Sequence, residues 1–290
     1  MKHLAFVQRN DSRSAVGDFS PVVSVLSYYD LGSTVSPFLL LDHIGPGRLL
    51  PSTRRKGVNE HPHRGFETVT IVYAGEIDHR DSTGSGGIIG TGDVQWMTAA
   101  AGIVHSELFS EAFTREGGPF EMIQLWVNLP ARDKTGMPGY QSLTKAAIPL
   151  LDLPGQAGSV RVIAGQFNGV SGPAHTHTRM NVLDVVLDAG HTATFPTEEG
   201  DTALAYLLSG QLRLTPDDVM DEQGLAVMSQ QGSGFRVTAT AKSRLLILTG
   251  ARIDEPLNGH GPFVMNSHEE ILQAYDDFTH GRLVVPPVRP

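Results

Sequence analysis

Four residues between His61 and Glu107 have the types and the spacing to hold a metal ion. His61 and His63 stand two apart in His61-Pro62-His63-Arg64-Gly65-Phe66-Glu67, and His105 and Glu107 stand two apart in Gly102-Ile103-Val104-His105-Ser106-Glu107. On a β-strand, residues i and i+2 point to one face, so each pair can aim two donors at one point. If the two strands face each other inside a barrel, the points coincide and three imidazoles meet one carboxylate. That set suits a first-row divalent metal, gives a site of net charge +1, and leaves two octahedral positions for water, dioxygen or a chelating substrate. A lone histidine is more often a hydrogen-bonded structural residue, but two pairs at matching spacing reverse that reading. Glu67 could coordinate or support a ligand from behind, and spacing does not decide between the two.

Strands must position these donors, and the chain is patterned for strands. Gly (32) and Pro (18) interrupt short apolar runs at close intervals, as in an all-β sandwich or barrel. Pro21-Leu26, Pro37-Leu41, Glu67-Tyr73, Glu76-Arg80, Val94-Thr98 and Phe120-Asn128 read as strands of a first β-rich domain, with a turn at Ala74-Gly75. A polar stretch with Pro138, Pro149 and Pro154 follows, and the strand pattern then resumes from Val160-Ala164 to Leu245-Thr249. The expected division is therefore 1–130, a connector over 131–157, and a second β-rich domain over 158–290. Within the second domain, Ser267-His268-Glu269-Glu270 is a capping box opening a helix over about 267–280, with Ile271, Ala274, Tyr275 and Phe278 as its apolar stripe. The tail with Pro286, Pro287 and Pro290 reads as extended and loosely held.

The two domains share short motifs. Leu40-Leu41-Asp42 matches Val182-Leu183-Asp184, and Val72-Tyr73-Ala74-Gly75-Glu76 matches Leu207-Leu208-Ser209-Gly210-Gln211, a period that means duplication of a domain. The repeat also exposes a decoy. His175-Thr176-His177 copies the His-x-His spacing but precedes the Val182-Leu187 strand, whereas alignment of Gly210 with Gly75 puts Pro196 and Glu198 where His61 and His63 stand. The second barrel is therefore expected to hold no metal. Trp96 reads as core, and Arg64 either orients Glu67 or an anion or makes a surface salt bridge.

Composition excludes several classes. With no cysteine there is neither a disulfide nor a thiolate site. A net charge of 22 − 31 = −9 without basic clusters argues against nucleic-acid binding. No apolar run reaches the roughly 20 residues of a membrane-spanning helix, and the N-terminus lacks the marks of a signal peptide. A soluble cytoplasmic monomer is the expectation.

The run His61 to Thr70, then Gly92-Asp93-Val94-Gln95-Trp96-Met97-Thr98-Ala99, then Gly102 to Glu107, resembles the pirin family of the cupin superfamily. Gln124-Leu125-Trp126-Val127-Asn128-Leu129-Pro130 and Gly261-Pro262-Phe263-Val264-Met265-Asn266 extend the resemblance over nearly the whole chain. It implies an all-β protein of two tandem cupin domains, jelly-roll-like antiparallel barrels, with one mononuclear iron in the N-terminal barrel. By position, the family's ligands fall on His61, His63, His105 and Glu107, and Glu67 is not a usual pirin ligand. Fe(II) is the expected metal, though Mn, Ni, Co, Cu or Zn can occupy the same donors. The resemblance implies two functions of different class. One is a quercetin 2,3-dioxygenase-type oxygenase taking a flavonol and dioxygen, with Glu107 as catalytic base; the other is an iron-dependent redox-sensing regulator that binds a protein partner. Open coordination positions favour the first.

Overall fold

In the computed structural model, which describes residues 1–215 and 218–284, the chain is mostly antiparallel β-sheet, as the punctuated apolar runs require. Contacts gather it into two compact units, each made of several stretches. One holds Ser12–Ser24, Phe38–Lys145 and the chain from Ile253 onward; the other holds Met1–Asp11, Val25–Pro37 and Ala146–Arg252. This grouping differs from the linear split at 130 and 157, and strand pairing is the reason. Leu4–Gln8 pairs with Leu225–Met228, far along the chain. The stretch between 131 and 157 is not a bare connector either: Gly139–Leu143 pairs with Val94–Thr98, and Leu150–Asp152 pairs with Gly158–Ala164. The expected proline-rich tail, 286–290, lies outside the described residues.

The unit containing His61 is built from two antiparallel sheets. The larger runs in the order Gly139–Leu143, Val94–Thr98, Phe66–Ala74, Gly118–Asn128, Phe38–Leu49, Phe19–Ser27 and Ser14–Val16. The smaller has Gly57–His63, Ile103–Phe109, Ile77–Asp81 and Gly86–Ile89. Phe19, Phe109 and Phe120 meet in one core cluster, with ring centroids 4.7 to 5.7 Å apart. Truncating a ring so enclosed costs about 3–5 kcal/mol. Trp96 is fully buried, as expected of a core residue.

The helix expected from the capping box spans His268–Thr279. Ser267 Oγ accepts from Glu270 N–H (3.2 Å), while the Glu270 carboxylate accepts from the N–H groups of Ser267 (2.8 Å) and Asn266 (2.9 Å). Its stripe is narrower than the sequence suggests: Ile271 and Ala274 are buried, but Phe278 is 43 % exposed. Those two residues join Phe263, Met265 and Leu283 in a cluster that takes in Val104, a neighbour of His105.

In the other unit a nine-stranded sheet encloses a core that includes Phe167, Phe195 and Phe235. Several expected strands fuse there. Ala203-Leu208 and Gln211-Thr215 form one strand, Thr202–Arg213, and Phe235-Thr238 joins Leu245-Thr249 in Gly234–Gly250. Gly210, matched to the turn residue Gly75, instead carries a register shift along the strand. Its φ of +98° and a virtual Cβ only 2.5 Å from Lys242 O admit glycine alone. Among the described residues, no helix is long and apolar enough to cross a membrane.

Candidate metal centre

Alternation on the Ile103–Phe109 strand turns Ile103, His105, Glu107 and Phe109 to the buried face and leaves Val104, Ser106 and Leu108 half-buried. Antiparallel pairing sets His105 opposite His61 and Ile103 opposite His63, so the two histidine-bearing stretches converge as their spacing predicts. A register shift between His105 and Glu107 breaks the pairing on that side, while pairing with Ile77–Asp81 stays regular. Ring centroids lie 4.8 Å apart for His61 and His63, 4.2 Å for His61 and His105, and 4.9 Å for His63 and His105. One nitrogen from each of these three lies within 4.8 Å of the others.

The second ring nitrogens fix how these imidazoles face. His61 Nδ1–H donates to Asn59 O (2.8 Å), and His63 Nδ1–H donates to Pro262 O (3.3 Å). The partner of His63 sits in the Gly261-Pro262-Phe263 stretch, and that stretch is tied down. Lys134 Nζ donates to Gly65 O (2.6 Å), Asn128 Oδ1 (2.7 Å) and Val264 O (2.8 Å), and Val264 N–H donates to Arg64 O (3.0 Å). Gly65 makes the approach possible, because a Cβ there would fall 2.0 Å from Val264 O. Burial pulls the Lys134 ammonium down to about 7.

His105 is oriented through a residue that sequence reading passed over. His79 Nε2–H donates to Asp81 Oδ2 (3.1 Å), which leaves His79 Nδ1 as an acceptor for His105 Nδ1–H (3.3 Å). Burial opposes ionisation of Asp81, but hydrogen bonds from His79 and Thr83 outweigh it and hold the carboxyl below its ordinary value. Tyr140 stacks on His79 with centroids 5.0 Å apart. His79 also belongs to a close group with His105 and Glu107. Both its ring nitrogens are already engaged, however, so His79 is placed to orient His105 rather than to offer a lone pair of its own. The signal available in sequence was His79-Arg80-Asp81, an alternating pair on the strand after Gly75.

The donor set fits a divalent metal. With Nδ1 committed in all three, Nε2 is the nitrogen left to His61, His63 and His105 as a donor, and His105 Nε2 is buried without a partner. Burial, with His61 nearby, drives His63 down to about 3, and burial with the neighbouring imidazoles holds His105 well below its ordinary value. Both rings are therefore neutral at pH 7 with a lone pair to give, and their bonded Nδ1–H groups match the outer support seen behind metal-bound histidines. Glu107 Oε1 accepts from the Thr70 hydroxyl (3.1 Å).

His61, His63 and Glu107 line a cavity of about 140 Å³ together with Asp42 and Gln124. Its apolar walls include Phe19, Leu40, Ile44, Met122 and Trp126. Other residues singled out from sequence lie elsewhere. Glu67 is buried, accepts from the Thr98 hydroxyl (2.8 Å) and enters neither ligand group. Arg64 pairs with Asp277 (2.9 Å) on the helix, and His43 Nε2 lies 3.1 Å from Glu121 Oε1. His175 and His177 enter neither group.

The family model for pirin matches residues 20–127, and that for the pirin C-terminal cupin domain matches 182–284. The chain belongs to the pirin family. A Pseudomonas aeruginosa pirin relative, provisionally named a quercetin 2,3-dioxygenase, is 49 % identical over 98 % of this chain and 99 % of its own. Human pirin is 37 % identical over 86 % of this chain and 83 % of its own. The crystal structure of a quercetin 2,3-dioxygenase from Acinetobacter baumannii superposes with a TM-score of 0.95 at 43 % identity, covering 98 % of both chains. Both cupin domains implied by the sequence are thus present, with the histidine-rich one matching the pirin model proper. Within that pirin domain lie His61, His63, His79, Asp81, His105 and Glu107.

Proposed function

We propose that this pirin is a cytoplasmic, metal-dependent oxygenase of the quercetin 2,3-dioxygenase type, with one Fe(II) held by His61, His63, His105 and Glu107. The observation that carries the reading is convergence: one nitrogen each from His61, His63 and His105 lies within 4.8 Å of the others, and His61, His63 and Glu107 line a cavity with aromatic and aliphatic walls. When bound, the metal would supply a cationic centre for chelating oxygens and for dioxygen, on the way to ring opening. The protein's residues do the rest. Trp126, Leu40 and Met122 offer flat apolar contact to an aromatic ring. Glu107, braced by Thr70, accepts the hydroxyl proton of the entering substrate.

The test is dioxygen uptake and bleaching of the flavonol band when iron-loaded protein meets quercetin in air. Turnover should exceed that of free metal, and Glu107→Gln should lower turnover more than it lowers metal content, the mark of a transition-state role. Absence of turnover with every first-row metal loaded in turn would remove the oxygenase reading.

A second reading is an iron-dependent regulator that binds a protein partner. The small cavity favours it, since about 140 Å³ is below the roughly 300–1,000 Å³ of most small-molecule sites. It expects partner capture that changes between ferrous and ferric protein, without turnover.

A further inference from the structure

One of the three imidazoles at the candidate centre is oriented from far along the chain. His61 Nδ1–H finds its carbonyl two residues away, at Asn59, whereas His63 Nδ1–H reaches Pro262 O across 199 residues. Pro262 sits in the turn between Asn258–His260 and Phe263–Met265, two short strands that form a sheet of their own. A two-stranded ribbon is marginal by itself, so the place of the Pro262 carbonyl depends on what fastens the ribbon to the segment carrying His63.

Lys134 supplies that fastening. It is only 1 % exposed, and its Nζ donates to Gly65 O, Asn128 Oδ1 and Val264 O at 2.6, 2.7 and 2.8 Å. An ammonium has three N–H groups, and all three are used. Two of the acceptors flank the contact between His63 and Pro262: Gly65 stands two residues after His63, and Val264 two residues after Pro262. Here the segments touch, since a Cβ on Gly65 would fall 2.0 Å from Val264 O, and Val264 N–H donates to Arg64 O (3.0 Å). None of the three acceptors is a carboxylate, and Glu255 and Glu270 favour the charge only from further off. A buried ammonium without an ion-pair partner carries a desolvation cost that an apolar side chain of the same length avoids. Filling space does not account for that cost. Holding the carbonyls of two separate segments at one point does, because it needs a head with several donors.

We propose that Lys134 is a positioning residue for His63, acting through Gly65 and Val264 to keep the Pro262 carbonyl against Nδ1. The proton of His63 then stays on Nδ1, and Nε2 keeps its lone pair for a divalent metal. The use of that lone pair rests on the metal reading; the orientation of the ring does not.

The test follows the ring nitrogens of the metal-free full chain at pH 7 by NMR, with nitrogen-15 in its histidines. His61 and His63 are assigned by the signals missing from His61→Gln and His63→Gln. In the wild type both should carry the proton on Nδ1. Lys134→Met keeps the length of the side chain and removes its donors. It should turn His63 toward a mixture of the Nδ1–H and Nε2–H forms and leave His61, bonded within its own strand, unchanged. Chelator competition should show zinc held about tenfold or more weakly by the variant. Lys134→Gln, which keeps two N–H donors, should fall between the two proteins, and it carries the test should Lys134→Met not fold. A wild-type His63 protonated on Nε2, or His63 signals unaltered in the variants, would overturn the proposal. So would an equal change at His61 and His63, the mark of a general loss of packing, or zinc bound equally by wild type and variants. A selective change at His63 with no zinc bound by the wild type would remove the metal reading and leave this inference standing.

Discussion

His79 Nδ1 lies 3.3 Å from His105 Nδ1, and both side chains are buried. With Asp81 on the far side of His79, the three form a line from a carboxylate to His105, the candidate imidazole ligand whose Nδ1 faces another side chain where His61 and His63 face backbone carbonyls. The arrangement holds the proton of His105 on Nδ1 and its lone pair on Nε2, which lowers the cost of turning the ring toward a cation.

His79→Ala should therefore weaken metal binding about 10–100-fold, the usual effect of losing a partner behind a metal ligand. Asp81→Asn should act in the same direction and less strongly, because an amide can still accept from His79. Competition with a chelator of known affinity measures both. Unchanged affinity in His79→Ala, with the fold intact, would mean that His105 is oriented by packing alone.

One metal per chain is the expected stoichiometry. Replacing His61 and His105 by alanine should empty the site, whereas replacing His175 and His177 should leave metal content unchanged. Chelation should lower the melting temperature, since an ion bound only to the native state stabilises it by mass action. Elemental analysis beside a thermal scan checks both expectations. Two metals per chain, or loss of metal from the His175/His177 variant, would contradict the duplicated but degenerate second barrel.

The meeting of His61, His63 and His105 was legible because i, i+2 spacing needs only strand geometry, and the strand Val94–Thr98 and the helix cap at Ser267 rest on equally local rules. What stayed hidden depends on partners far apart in sequence. Pro262 orients His63 across 199 residues, and Leu4–Gln8 finds its edge beside Leu225–Met228; neither pairing leaves a local pattern. His79 was overlooked for a different reason. Its strand reads as the plain return limb of a hairpin, and only the three-dimensional register sets it against Glu107 on the neighbouring strand. Gly210 failed in the opposite sense: a motif that turns the chain at Gly75 is absorbed as a bulge where the partner strand continues past it.

Asp42 supplies a prediction about stability, and its sign can be worked out. Its folded-state pKa of about 6 lies above the ordinary 3.8, so between those values the native metal-free protein binds more protons than the unfolded chain. By linkage, this group makes stability fall as pH rises from about 4 to about 6, with the full penalty present at higher pH. Asp42→Asn removes the penalty while keeping the shape. The metal-free variant should therefore be more stable than the metal-free wild type at pH 7, by about 1–2 kcal/mol once partial exposure is allowed for. The two should converge near pH 4, where Asp42 is protonated in the native protein. A divalent cation across the cavity favours the ionised carboxylate, so the difference at pH 7 should shrink when metal is added. Denaturant melts of both proteins at pH 4 and pH 7, with and without metal, measure all three effects. An Asn variant no more stable than the wild type at pH 7 would show that Asp42 is well solvated and that burial does not raise its pKa.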